Sequence, residues 1–214
     1  MTHALDFDRE RRLALPEGGV VRFSLRQLAV EPGTQVVLGR DFDPAFSGAL
    51  TDKESAREYV AHNVGRLAAL QEKLYAQGTH AVLLVLQGID SSGKDGTVRH
   101  VLSGVNPQGC RVSSFKAPSS EELAHDYLWR VSRALPARGM IGIFNRSHYE
   151  EVLVVRVHPE FLAHQRLPGD DDGAGPWRRR FREINDFERY LVDNGISIVK
   201  VFLNISKEEQ RKRL

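Results

Sequence analysis

One cysteine, Cys110, stands in 214 residues. That excludes an internal disulfide and any metal cluster built on several thiolates, and it carries no hint of export. No uncharged apolar run is long enough to span a bilayer. The opening Met1-Thr2-His3-Ala4-Leu5-Asp6-Phe7-Asp8-Arg9 also lacks the apolar centre of a secretory leader, so a cytoplasmic protein with no membrane contact is expected. A dominant charge is missing too. Thirty Lys and Arg face 28 Asp and Glu, a formal +2, which gives no molecule-wide attraction for nucleic acid. Any polyanion site must be local. No internal repeat is visible.

Forty-one per cent of the residues are hydrophobic, enough for the core of a single α/β domain over 1–214. That domain is organised around Gly88-Ile89-Asp90-Ser91-Ser92-Gly93-Lys94-Asp95-Gly96. The apolar run Ala81-Val82-Leu83-Leu84-Val85-Leu86 precedes it and reads as a buried parallel strand; Thr97-Val98-Arg99-His100-Val101-Leu102 follows with helical spacing. A glycine-rich turn between strand and helix converges its N–H groups on one point at a helix N-terminus, where an anion is stabilised. Gly88, Ser91, Ser92, Gly93, Gly96 and Thr97 would form the cradle, and Lys94 adds a mobile charge. The phosphate-loop pattern G-x-x-x-x-G-K-[ST] is met except at its last position, where Asp95 replaces the hydroxyl residue. Two acids beside a bound polyanion, Asp90 and Asp95, make sense if a divalent cation or a reacting phosphoryl group lies between. The plainer alternatives are a chance glycine turn and, for Asp95, a residue that merely caps the helix, since an acid in a first turn is favoured with or without a ligand.

Before the loop, residues 1–50 read as an extended arm with a short strand or two, and Lys53 to Ala76 as a helix with Tyr59, Val64, Leu67, Leu70 and Leu74 on one face, stopped by Gly78. After it, Cys110 to Phe115 is a second strand. Ser119 or Ser120 then caps a helix expected to run to about Leu135, carrying Arg130 and Arg133. A third strand, Gly139 to Phe144, ends in Asn145-Arg146-Ser147-His148-Tyr149-Glu150-Glu151. Ligands gather beyond the carboxyl ends of parallel strands, so this polar run is expected to face the phosphate loop. Asn145 stands where phosphate-loop enzymes often place a magnesium-binding acid, which shifts weight to Asp90 and Glu150; Arg146 suits a bidentate phosphate contact. His148 and His158 are better explained by packing or a hydrogen bond than by catalysis.

Residues 158–183 form a candidate lid. Pro168 to Pro176 is an acidic, glycine-rich loop, and Trp177-Arg178-Arg179-Arg180-Phe181-Arg182 follows, a basic run that fits either a solvated helix face or a clamp on phosphates. The helix continues to Asn194-Gly195, Ile196 to Leu203 is a fourth strand, and Ser206 caps a helix within which the sequence stops. A C-terminal part is expected beyond it.

Leu86 to Gly96, then Phe144 to Val157, and finally Ile205 to Arg213 together resemble the second family of polyphosphate kinases. The resemblance implies a three-layer phosphate-loop kinase fold with a parallel sheet and a helical lid, similar to nucleotide monophosphate kinases. It implies reversible transfer of a terminal phosphoryl group between inorganic polyphosphate and a nucleotide, assisted by magnesium, with manganese as a substitute. On matching positions, Asp90 and Lys94 would be the catalytic acid and the phosphate-holding lysine, Arg146 a phosphate-binding arginine, and Arg211 or Arg213 the lid-side arginine. Asn145, where most of the family has Asp, together with Glu150, looks like the subgroup that phosphorylates both nucleoside monophosphates and diphosphates.

The expected site is therefore Asp90, Lys94 and Arg146 as catalytic groups, with Asp90 and Asn145 toward the metal. Gly88, Ser91, Ser92, Gly93, Asp95, Gly96, Thr97, Asn145, Glu150, Arg178, Arg211 and Arg213 would bind substrate. Self-association into a dimer or tetramer is expected from the arm and apolar edges. The competing readings are a kinase that uses ATP as donor on a small molecule or nucleotide, and a nucleotide-binding module without turnover.

Overall fold

The computed structural model describes residues 11–14, 20–23, 25–48, 50, 52–168 and 176–214. In chain order these form β1 (Arg11–Ala14), β2 (Val20–Phe23), α1 (Lys53–Gln77), β3 (Ala81–Gly88), α2 (Lys94–Val101), β4 (Cys110–Ser114), α3 (Ser120–Leu123), α4 (Trp129–Arg133), β5 (Ile141–Asn145), α5 (Val154–Val157), α6 (Glu160–Ala163), α7 (Trp177–Asp193), β6 (Ile196–Leu203) and α8 (Lys207–Arg213). They group into two compact units: Met1–Ala69 with Ile89–Gly104 and Leu203–Leu214, and Leu70–Gly88 with Val105–Phe202.

The larger unit is built on a sheet of order β4-β5-β3-β6, with β3 and β4 each parallel to β5. Val82 pairs with Ile141 and Leu86 with Asn145; Cys110 pairs with Ile141 and Ser114 with Asn145. Strands buried on both faces need apolar residues at consecutive positions rather than alternating ones. Ala81, Leu83, Val85 and Leu86 of β3 and Ile141, Ile143 and Phe144 of β5 are buried accordingly. Leu83, Val85, Phe115, Val131, Phe144 and Leu191 form one core cluster, in which the Phe115 and Phe144 rings meet edge to face at 4.9 Å. Each such side chain removed from water contributes about 1.5–3 kcal/mol.

Several expectations needed correction. The helix from Ser119 to Leu135 is two short helices, α3 and α4. Ser119 caps the first in a reciprocal capping box with Glu122. Asp126 Oδ1 then accepts from Leu128 N–H at 2.9 Å, and this local bond offers the backbone an alternative to continuing the helix. In α1 the stripe facing the protein is Val64, Leu67, Gln71 and Leu74, with Gln71 buried, while Leu70 is 58% exposed. A 3.6-residue period carries 64, 67, 71 and 74 to one side and turns 70 away. Gln71 also explains a glycine: a Cβ on Gly109 would lie 1.7 Å from Gln71 Nε2.

The smaller unit holds the β1–β2 antiparallel hairpin, α2 and α8. Asn204 Nδ2 donates to Phe42 O at 3.1 Å, tying the start of α8 to the arm. Among the described residues no helix is long and apolar enough to cross a membrane.

Candidate active site

The glycine-rich turn leaves β3 at Gly88 (φ 156°) and enters α2 at Gly93 (φ 96°), with Ser91 at φ 61° between them. Left-handed backbone is cheap for glycine, whereas a serine held there costs of order 1–3 kcal/mol and persists only where its surroundings over-determine it. Strain of this kind collects at binding loops. Gly93 caps α2 without a side-chain hydrogen bond, so Asp95 lies in the first turn but is not the cap. That removes the alternative of a capping Asp95 while keeping its favourable place against the helix dipole.

Lys94 is buried, and its ammonium curls back over the turn to donate to Ile89 O at 3.0 Å and Ser92 Oγ at 3.3 Å. The Thr97 hydroxyl donates to Gly93 O at 3.1 Å, closing the first turn of α2. The last helix then braces the loop from within the same unit. Gln210 Nε2 donates to Asp90 O at 3.0 Å, and Arg213 Nη1 lies 3.4 Å from Ser91 O and 3.3 Å from Ser92 O. A Cβ placed on Gly93 would come within 3.5 Å of that guanidinium. Sequence left Arg211 and Arg213 as equal candidates; both are exposed, and Arg213 is the one whose guanidinium lies beside Ser91 O and Ser92 O, held by Glu209 Oε1 at 2.7 Å.

The second cluster belongs to the larger unit, where β5 runs parallel beside β3 and ends at Asn145, half-buried. Arg146 follows at φ 63°, again left-handed and not glycine, with its N–H donating to Leu86 O at 3.1 Å. Its guanidinium meets Glu150 Oε2 at 3.4 Å. Ser147 is buried and caps a short 3-10 turn over His148–Glu151 by accepting from Tyr149 N–H.

His148 is packed in the interior and His158 faces a carboxylate at the surface. His148 is buried, with Nε2 3.4 Å from Glu188 Oε1, and His158 is exposed beside Glu160 at 3.1 Å. Tyr149 Oη donates to Glu188 Oε1 at 2.6 Å and Lys200 Nζ to Glu188 Oε2 at 2.7 Å. Burial alone would raise the Glu188 pKa, but hydrogen bonds from His148, Lys200 and Tyr149 outweigh it and hold the carboxyl at about 2. Burial first, then Glu188, pushes the Tyr149 hydroxyl well above its ordinary value. This knot fastens the turn that carries Arg146 and Glu150 to α7 and β6.

The basic run proves mixed. Arg180 is 1% exposed; its Nη1 donates to Glu151 O at 2.9 Å and Oε2 at 3.2 Å, and its Nη2 to Gln165 Oε1. Burial lowers the Arg180 pKa and Glu151 opposes that shift. Arg179 pairs with Glu183 at 3.6 Å, and Arg178 is exposed. Of the arginines read as a clamp, Arg180 is thus committed to the core.

Among the described residues no group of three or more His, Cys, Asp or Glu could enclose a metal. The donor set still fits magnesium, which is satisfied by one or two carboxylates while waters and substrate phosphates complete its shell. Asp90, exposed in the loop, and Asp95 one residue past Lys94 supply such hard oxygens.

A glycine turn at the end of a buried parallel strand, with a buried lysine opening the next helix, marks a protein of the phosphate-loop class. The profile of the family Polyphosphate kinase 2 (PPK2) matches residues 50–214, and the chain belongs to that family. It is 50% identical over 197 residues to the ADP-polyphosphate phosphotransferase of Rhodopseudomonas palustris, covering 90% of this chain and 67% of that protein. It is 50% identical over 194 residues to the AMP/ADP-polyphosphate phosphotransferase of Meiothermus ruber, covering 89% and 67%. Among solved structures, Polyphosphate Kinase 2 from Arthrobacter aurescens is similar with a TM-score of 0.75 at 43% identity, over 86% of this chain and 62% of that one. The chain therefore spans about two thirds of the length of these relatives. Enzymes of this family are phosphotransferases that work with a divalent metal.

Proposed function

We propose that the chain transfers a terminal phosphoryl group, reversibly, between inorganic polyphosphate and nucleoside mono- or diphosphates, making ATP from ADP and ADP from AMP with magnesium, or manganese in its place. The observation that carries this reading is the loop itself: Ser91 and Gly93 held left-handed, with the buried Lys94 ammonium over the turn. Such a turn presents amide N–H groups and a full charge to phosphate oxygens.

In this mechanism Lys94 and the loop amides hold the phosphates of one substrate, and Arg213 adds a guanidinium beside the loop. Arg146 contributes a further guanidinium, and each neutralises charge that spreads over the transferring group. Asp90 orients the acceptor phosphate or holds the metal, with Asn145 as a neutral ligand to the ion or its water; Asp95 and Glu150 complete the polar shell. Asp90 and Asn145 would hold a magnesium ion whose positive charge would lower the mutual repulsion of the phosphates. Acceptor phosphate oxygens are already nucleophilic, so no strong base is required. Gly88, Ser92, Gly96 and Thr97 shape the cradle, and Arg178 and Arg211 are secondary phosphate contacts. The chain would act in the cytoplasm as a dimer or tetramer, which light scattering on the purified protein tests.

The deciding assay supplies ADP or AMP, magnesium and long-chain polyphosphate with no other donor. ATP should form from ADP, and Lys94→Ala or Asp90→Asn should lower that rate by at least about a hundredfold with unchanged circular dichroism. Turnover only with ATP as donor would make the chain an ordinary kinase. Undiminished rates in both variants would remove the assignment.

A further inference from the structure

Gln87 lies on β3 immediately before Gly88 and is 6% exposed. A buried amide without partners costs about 1–3 kcal/mol, so its bonds must be made close by. With the amide turned so that its oxygen faces donors and its nitrogen an acceptor, the oxygen accepts from Ser147 N–H at 3.1 Å and Ser147 Oγ at 2.9 Å, and the nitrogen donates to Glu150 Oε1 at 3.0 Å; the opposite orientation leaves only the Ser147 Oγ contact. The other oxygen of the same carboxylate, Oε2, is the one 3.4 Å from Arg146 Nη1.

Two consecutive residues of β3 therefore grip the turn after β5. Leu86 fixes the backbone of Arg146 through its carbonyl, and Gln87 fixes Ser147 and Glu150 through its side chain. Arg146 needs that grip, because its left-handed backbone (φ 63°) persists only where neighbours enforce it. The amide also restrains Glu150. A carboxylate free to turn both oxygens on a guanidinium forms the bidentate pair that competes most directly with phosphate. With Oε1 held by Gln87, Glu150 meets Arg146 through Oε2, so the direction of the carboxylate bears on that of the guanidinium.

We infer that Gln87 is a positioning residue for phosphoryl transfer: it sets the direction of the Glu150 carboxylate and, through it, that of the Arg146 guanidinium. The inference rests on Arg146 being a phosphate-binding arginine. Nothing in the sequence singles Gln87 out, since a polar residue ahead of a glycine turn looks like the end of a strand.

Gln87→Met keeps the length and bulk of the side chain and removes the amide. Gln87→Asn keeps the amide on a stem one methylene shorter, and serves if the methionine variant does not fold. Each should lower kcat/KM with polyphosphate and ADP by about tenfold or more, a loss that corresponds to about 1.4 kcal/mol. In a Glu150→Ala background the same change should add little, because the route through Glu150 is already cut. Independently of turnover, the Arg146 Nε–H resonance of 15N-labelled protein should shift or broaden in both Gln87 variants. A variant with native kcat/KM and an unmoved Arg146 resonance overturns the inference, as do losses that simply add in the double variant. If the wild-type chain makes no ATP from polyphosphate, the proposed function fails, and the resonance alone still decides whether Gln87 orients Arg146.

Discussion

Glu188 shows how a single buried carboxylate can fasten the turn that follows β5. It accepts from Tyr149 and Lys200 and faces His148, and these partners hold it at about 2 against the push of burial. Its ordinary value is 4.5, so the native state binds the proton less readily than the unfolded chain. The stabilisation is complete above pH 4.5 and is lost as pH falls through about 2; a depression of this size corresponds to about 3 kcal/mol. Glu188→Gln keeps the shape and removes the charge. In urea titrations the wild type should therefore exceed this variant near neutral pH, and the gap should close as pH drops from 4.5 toward 2. A gap that stays constant across that window would mean the carboxylate's charge contributes nothing. At this scale the residues that sequence singled out were those whose type announces chemistry: Lys94, Asp90, Arg146. Gln87 and Glu188 were not, because only the parallel pairing of β3 with β5 and the packing of α7 give them partners.

Among the elements, strands were the most readable. The fourth strand was expected at Ile196 to Leu203, the span of β6, because a long β-branched run has no competing pattern. The helix before β5 was misjudged because a single Asx turn at Asp126 outweighs helical spacing. The basic start of α7 was ambiguous for a deeper reason: a run of arginines looks the same whether it is solvated or one member is buried. Arg180 is buried against Glu151 and Gln165, so it joins the chain on either side of residues 169–175 to one carboxylate. Arg180→Met should then leave Glu151 short of a partner in a buried place, with Arg130 still 3.8 Å away. Breaking one side of a buried pair costs about 3–5 kcal/mol, and the residual Arg130 contact puts the expected loss near the lower end. Adding Glu151→Gln should recover part of it. Chemical denaturation of the wild type and the two variants checks this; equal stability of wild type and Arg180→Met would show that the pair contributes little.

At the scale of the whole molecule the charge balance sets an expectation of its own. A formal +2 spread over 214 residues offers no broad attraction for a polyanion, so affinity for polyphosphate has to come from the loop lysine and a few guanidiniums. A ligand that binds only the folded state raises stability by about 2.7 kcal/mol at a hundred times its Kd. For a chain of this size that is a rise in Tm of roughly 5–10 °C, given about 2–4 °C per kcal/mol. The rise should shrink as salt is added from 50 to 300 mM, because charge contacts to phosphate are screened within about 10 Å at 0.1 M ionic strength. It should fall by more than half in Lys94→Ala, whose ammonium lies over the loop. A rise in Tm that survives both high salt and the loss of Lys94 would locate the polyphosphate on the outer surface, away from the glycine turn, and would separate the binding of the polymer from the chemistry argued for the loop.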